Sequence, residues 1–425
     1  MRTPHIRTAN SAQRRELLIE RLGAQGDGVA GGPVFIGEVL AGERVLADVR
    51  GERADLVEVI EASPDRVSPP CPHFGVCGGC SLQHWRAAPY LDWKGEQLRL
   101  ALGREGIETD ILPTFATAPG SRRRLALHAR RVGGKAAVGF KMKRSWDLAP
   151  IEVCPVADPR LVAAFPQLRR LAGVLFEHPK SAPILHVTLT RTGLDIDISG
   201  VERRSGALSA DAQVRLGGVA AEADFARVTI GGEIVYQARE AVVAMGGAAV
   251  SLPPGAFLQA VAAAEDAMAA FAVEALAGAN SIADLYCGVG AFALRLATVA
   301  PVFGLDVSAP AVAALKAAQG TAPGLKSVST EARDLARRPL LAQDLKRIDA
   351  VCIDPPRAGA EEQHGEIARS KVSRVVGISC NPVTFARDAR ILIDAGFVLQ
   401  RVQPVDQFLW SPHIELASLF TRSGG

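Results

Sequence analysis

The chain has 425 residues, 48% of them hydrophobic and 22% charged, with a net charge of +3. That is an ordinary soluble globular composition, long enough for two or three domains. No uninterrupted apolar run reaches the ~18 residues of a membrane span, and no apolar segment follows the N-terminal arginines as a secretory signal requires, so a cytosolic protein with reduced cysteines is expected.

Residues 1–13 are expected to be disordered. Over 14–68, short β-type runs alternate with glycine turns: Leu17-Leu18-Ile19, Gly26-Asp27-Gly28, Val34-Phe35-Ile36, Glu43 to Val49 and Leu56 to Ile60. Several short strands with turn signals predict a small β-barrel. Ser68-Pro69-Pro70 closes it, and a central domain is expected over 69–250. Three cysteines follow at once in the pattern Cys71-x5-Cys77-x2-Cys80, and Cys154-Pro155 comes much later. Zinc ligands usually come in paired knuckles with two to four residues between them. The five-residue gap and the lone fourth cysteine suit an iron–sulfur cluster better. Four ligands, Cys71, Cys77, Cys80 and Cys154, imply a closed, structural [4Fe–4S] site; zinc and unligated thiols are the alternatives.

Ala87 to Glu105 reads as a helix with Leu91, Leu98, Leu100 and Leu102 on its apolar positions. Between Ser121 and Ser145 lie nine basic residues and no acidic one. Such a stripe points to an anionic partner, for which RNA or DNA is the usual choice; a solvated basic surface is the alternative. Residues 122–250 mostly alternate as strands do, and a helix is expected over Gln259–Ala277.

From Ser281 the pattern becomes strand–helix alternation. Strands are predicted at Ser281–Leu285, Pro301–Asp306, Lys326–Thr330, Ile348–Ile353, Val372–Ser379, Val398–Pro404 and Ile414–Phe420. The last two, separated only by a loop, would pair antiparallel. This is a doubly wound α/β domain, placed over 251–425, whose seven-stranded layout resembles a class I (Rossmann-like) methyltransferase. Asp284-Leu285-Tyr286-Cys287-Gly288-Val289-Gly290 joins the first strand to a predicted helix, Ala291–Ala300. Its glycines permit a tight turn and close backbone approach to a cofactor, and Asp306, ending the next strand, can accept from ribose hydroxyls. Nicotinamide and S-adenosylmethionine both fit this frame; the terminal hairpin favours the latter.

Three loops follow strand ends, where an open α/β sheet binds its ligands. They carry Asp354-Pro355-Pro356-Arg357, Ser379-Cys380-Asn381-Pro382, and Asp406-Gln407-Phe408 with His413-Ile414-Glu415. A thiol beside a methyl donor has a specific use. C5 of a pyrimidine is a poor nucleophile until a thiolate adds to C6; a base must then remove the C5 proton so that the thiol can leave. The chemistry needs one cysteine, one general base and one group holding the ring carbonyl or N3, and the candidates are Cys380, Glu415 and Asp354. A free thiol is only about 3% ionised at pH 7, so the site should lower this pKa or assist the addition by protonating the ring. Cys352 reads as core and Cys287 as loop packing. An arginine follows Asp354-Pro355-Pro356 where an aromatic would suggest methylation of an amino group.

Taken together, residues 14–425 resemble the RNA uracil-5-methyltransferase family in its bacterial branch. Gly26–Ala30 and Gly42–Val45 resemble its RNA-binding TRAM barrel, and Cys71–Cys80 with Gln83-His84 and Cys154 is similar to its [4Fe–4S] site. Phe257-Leu258-Gln259 is similar to its Phe-x-Gln motif; Asp354–Gly359, Ser379–Pro382 and His413–Glu415 are similar to its substrate, nucleophile and base motifs. The resemblance implies S-adenosylmethionine bound by Gln259, Tyr286, Gly288, Gly290, the backbone of Ala291, Asp306, Asp334 and Asp354. It also implies that the helical segment near 87–116 packs on the catalytic domain. A barrel together with a cluster resembles the 23S ribosomal RNA enzymes more than the transfer RNA ones, and a monomer is expected. The target uracil must leave its stack to reach Cys380, and Phe257 could stack on RNA or line the pocket, with an ordinary core residue as the alternative. Val261, Ala291 and 409–411 depart from the family's usual residues. A cytosine-C5 RNA methyltransferase and a non-catalytic RNA-binding iron–sulfur protein are the alternative readings.

Overall fold

The computed structural model describes residues 12–202 and 208–422. The segment expected to be disordered, 1–13, lies outside them except for 12 and 13, and Gln13 already opens a strand. Five strands, Gln13–Leu22, Gly28–Ala30, Val34–Ile36, Arg44–Arg50 and Arg53–Glu61, close into a barrel. Alternation along them turns Ile19, Ile36, Val45 and Ala47 into a dry interior. Gly28 is required there, because a Cβ would lie 2.3 Å from the Val39 side chain.

The central region is more mixed than its strand-like alternation predicts. A seven-stranded sheet runs in the order Leu148–Pro150, Lys135–Lys141, Arg124–Val132, Ile184–Thr190, Gly193–Ser199, Arg227–Ile230, Glu233–Gln237. Helices Phe165–Val174 and Ala210–Glu222 cover one face through Leu168, Leu171 and Leu216. The hairpin Val242–Met245/Ala248–Ser251 instead packs Val243, Met245 and Val250 into the core of the C-terminal unit, so an expected boundary at 250 cuts through it.

The C-terminal sheet has nine strands rather than seven. Seven come from the C-terminal segment, in the order Val328–Ala332, Val302–Asp306, Ile282–Leu285, Ala350–Ile353, Arg374–Ser379, Glu415–Thr421, Val398–Asp406. The first five are parallel, and Glu415–Thr421 inserts antiparallel between its neighbours. The other two, Asp110–Ile111 and Phe115–Ala116, pair with Val398–Asp406. They are supplied by the chain leaving helix Ala87–Arg104, which ends well before 116 and buries Leu98 and Leu102 in the core under this sheet. Alternating strand residues feed two cores, one on each face: Cys352 joins Met268 and Phe292, whereas Val351 joins Phe385 and Phe420. Among the described residues, no helix is long and apolar enough to cross a membrane.

Candidate functional site

The cofactor loop leaves strand Ile282–Leu285 in an unusual conformation. Tyr286 has φ of 62°, a left-handed geometry that costs a non-glycine residue about 1 kcal/mol or more and marks functional turns. Gly290 has φ of 100°, and a Cβ there would meet Leu315 at 2.4 Å. The predicted helix behind the loop is short, Ala293–Leu296. Asp306 accepts from Gly288 N at 3.0 Å and from Ser308 N at 2.8 Å, one bond on each oxygen. A carboxylate offers about four lone-pair sites, so both oxygens keep capacity for a ribose. Asp334 accepts from the backbone N–H groups of Ala336 and Arg337, and its charge, after burial, helps push the Tyr286 phenol up to about 12. Close backbone approach, a carboxylate with spare acceptors and a half-buried aromatic make a cradle that fits a nucleoside cofactor.

The nucleophile loop follows strand Arg374–Ser379. Asn381 caps helix Pro382–Asp394 by accepting from Val383 N, while its Nδ2 donates to Arg357 O at 3.1 Å. Thr384 Oγ1 also donates to Arg357 O, and Asp388 accepts from Ala360 N at 2.8 Å. The Asp354–Ala360 loop is thereby pinned to the loop that presents Cys380. A cavity of about 120 Å³ opens at Cys380, lined also by Arg357, His413, helix residues Gln97 and Arg104, and Gln25 of the barrel.

The three titratable groups expected at one sheet edge are brought together. Glu415 is 4% exposed; burial, reinforced by the charge of Asp354 and opposed by a hydrogen bond from Gln407, pushes its carboxyl up to about 8. Burial likewise raises Asp354 to about 7, with Gln259 opposing. The Cys380 thiol is pushed up to about 11 by burial and by the charges of Glu415 and Asp354, with Arg357 as a counterweight. Of the two expectations for the thiol, a lowered pKa is not met in this state, chiefly because burial disfavours the thiolate, which leaves assistance by ring protonation.

In the sequence Gln407 stands in a site loop but has no role assigned. It is 1% exposed and donates from Nε2 to Gln259 Oε1 at 2.7 Å and to Glu415 Oε1 at 2.9 Å. Gln259 Nε2 in turn faces Asp354 Oδ2 at 3.3 Å. A glutamine beside a sequence motif carries no signal of its own; only the fold brings it against Gln259, 148 positions away.

The basic stripe is partly spent inside the molecule. Arg123 pairs with Glu265 at 2.6 Å and donates to Gln259 O, Arg144 pairs with Asp27, and Arg124 donates to Leu258 O. Arg130, Arg131, Lys135 and Lys141 form no ion pair among the described residues; Arg130 and Arg131 donate to backbone carbonyls and Lys141 lies over the Trp146 ring. Phe257 is 70% exposed, with the Arg124 guanidinium 5.5 Å from its ring centroid, so it is not core.

Cys71, Cys77, Cys80 and Cys154 are free thiols lining one cavity of about 340 Å³, walled by Leu125 and Phe140. Burial raises the thiols of Cys77, Cys80 (to about 12) and Cys154, and the charges of their fellow cysteines add to it. Among the described residues, no group of three or more His, Cys, Asp or Glu side chains is placed to hold a metal ion. The geometry of the four thiols therefore gives the expected [4Fe–4S] site no support beyond their shared cavity. The backbone N–H groups of Ser81 and Leu82 donate to Trp410 O at 2.9 and 3.0 Å, which joins this segment to the loop carrying Gln407 and Glu415.

Comparison with known proteins bears on the chemistry. Residues 243–423 match the tRNA (uracil-5-)-methyltransferase family model. The chain is 61% identical over 415 residues to an RNA methyltransferase of Caulobacter vibrioides, covering 96% of this chain and 100% of that one. It is 33% identical over 451 residues to the 23S rRNA (uracil(1939)-C(5))-methyltransferase of Halomonas elongata, covering 96% of this chain and 90% of the relative. In fold it resembles the Pyrococcus abyssi tRNA (uracil-54, C5)-methyltransferase solved with S-adenosyl-L-homocysteine, with a TM-score of 0.72 and 21% identity over 96% of this chain and 99% of that one.

Proposed function

The chain belongs to the RNA uracil-5-methyltransferase family, and from that premise we propose that it methylates C5 of a uracil in 23S ribosomal RNA through a covalent Cys380 adduct, as a cytoplasmic monomer. The observation that carries the reading is the hydrogen-bonded path Asp354–Gln259–Gln407–Glu415 beside the Cys380 cavity. It ties the proposed base to the proposed ring-holding acid, and the charges of both act on the Cys380 thiol.

S-adenosylmethionine, when bound, supplies an electrophilic methyl group. Gln259, Tyr286, Asp306, Asp334, Asp354 and the 288–291 backbone would hold it. Cys380 Sγ bonds C6 of the flipped uracil, its proton leaves to solvent, and the C5=C6 electron pair moves into the O4 enolate. Asp354, raised to about 7, keeps a protonated fraction able to donate to the ring. Once C5 carries the methyl group, Glu415 takes the C5 proton. The C–H electron pair re-forms C5=C6 and Cys380 leaves as thiolate.

The barrel and the unpaired cations of 130–141 would hold the surrounding RNA, and Phe257 would stack on a base. Cys71, Cys77, Cys80 and Cys154 would hold a [4Fe–4S] cluster of structural role. Mapping of 5-methyluridine in 23S rRNA from a deletion strain tests the assignment: one uracil should lose its methyl group, and an unchanged modification pattern refutes the ribosomal target.

A further inference from the structure

We infer that Gln407 is a positioning residue for proton removal: its amide orients the Glu415 carboxyl, favours its ionised form against the surrounding burial, and ties it to the Gln259–Asp354 pair. The inference rests on the reading of Glu415 as the base.

The amide's orientation is determined by one backbone group. Ala260 N–H can only donate, and it points at Gln407 Oε1 from 3.0 Å. The Nε2 group must therefore face the other way. Both of its hydrogens are used, one on Gln259 at 2.7 Å and one on Glu415 at 2.9 Å. Gln259 then has to present its oxygen to Gln407 and its N–H to Asp354. The direction of every bond from Ala260 to Asp354 follows, and no flip of either amide keeps them all.

A carboxylate accepts from this amide more strongly than a carboxylic acid does, so the bond favours the ionised form. Glu415 is nearly sealed from water and faces Asp354 and Cys380, neither of which favours its charge. The cations Arg357, Lys94 and Arg122 act on neighbouring His413, and Lys94 is committed to Asp406. The Gln407 bond opposes the burial and the Asp354 charge that keep the proton on Glu415. Without it the base would stay protonated to higher pH and would lose its bond toward Gln259.

The test separates adduct formation from adduct decay. Wild type, Gln407→Met and the isosteric Gln407→Glu are loaded with S-adenosylmethionine and a 23S rRNA transcript, and the denaturation-stable protein–RNA adduct is followed in single turnover from pH 6 to 9.5. The same proteins are given 5-fluorouracil-substituted transcript, whose C5 has no proton to remove. The expected result is normal trapping of the fluorinated RNA by both variants. With natural RNA, adduct decay is roughly tenfold slower at pH 7, with a midpoint raised by about one pH unit. Gln407→Glu should shift farther, since a second carboxylate faces Glu415. A wild-type decay midpoint in either folded variant, or a pH-independent fall, overturns the inference. Failure of wild type to trap fluorinated RNA would instead strike the underlying reading.

Discussion

Lys94 Nζ lies 2.9 Å from Asp406 Oδ1, and neither side chain has any solvent exposure. The residues are 312 positions apart, one on the helix Ala87–Arg104 and the other at the start of the loop that carries Gln407 and leads to Glu415. Lys94 also donates to His413 O, and Trp410 N donates to the Tyr90 hydroxyl at 2.8 Å on the same helix. A helix that precedes most of the central region thus fastens both ends of this loop.

Removing one member of a dry ion pair strands the other charge, at a cost of about 3–5 kcal/mol. Lys94→Met should lower stability by that amount, and adding Asp406→Leu should restore much of it. Chemical denaturation checks this; equal stability of Lys94→Met and wild type would show the pair to be unimportant.

The thiol held up to about 11 leaves only about one Cys380 in ten thousand ionised at pH 7. Alkylation of Cys380 by iodoacetamide should therefore be slow at pH 7 in the free enzyme and climb continuously to pH 10. Peptide mapping by mass spectrometry reads it. Rapid modification that levels off near pH 7 would mean a thiolate already formed at rest.

Glu415 is shifted from 4.5 to about 8, the direction that disfavours its charge in the folded state. The native protein holds this proton where the unfolded chain has lost it. The group's effect is therefore destabilising as pH rises from about 4.5 to about 8, and constant above. Glu415→Gln escapes it and should gain on wild type by a few kcal/mol across that window. Thermal melts at pH 5 and 8 decide; a difference that does not change with pH contradicts the buried-acid account.

The proposed cluster on Cys71, Cys77, Cys80 and Cys154, four half-buried thiols lining one cavity, predicts a brown protein with visible absorbance when purified without oxygen, and Cys154→Ser should bleach or destabilise it. Colourless protein carrying zinc would reject the cluster.

Much of the site was legible because its chemistry sits at strand ends. Cys380, Asp354 and Asp306 each follow an apolar run that could only be a buried strand, so their convergence follows from the sheet. Lys94 and Gln407 were not legible. A lysine on a helix reads as solvated, and nothing local announces a partner three hundred residues on. The strands Asp110–Ile111 and Phe115–Ala116 are too short to show a period, and they exist because Val398–Asp406 offers them an edge. The basic stripe misled in part: charge counts cannot reveal that Arg123 and Arg144 already have carboxylates.

The central claim is covalent C5 methylation of uracil by Cys380. Wild type and Cys380→Ala are incubated with unmodified 23S rRNA transcript and methyl-tritiated donor, and the RNA is digested to nucleosides. Tritium should appear in 5-methyluridine with wild type and be absent with Cys380→Ala. Label in 5-methylcytidine, or undiminished 5-methyluridine from the Cys380→Ala enzyme, would contradict it.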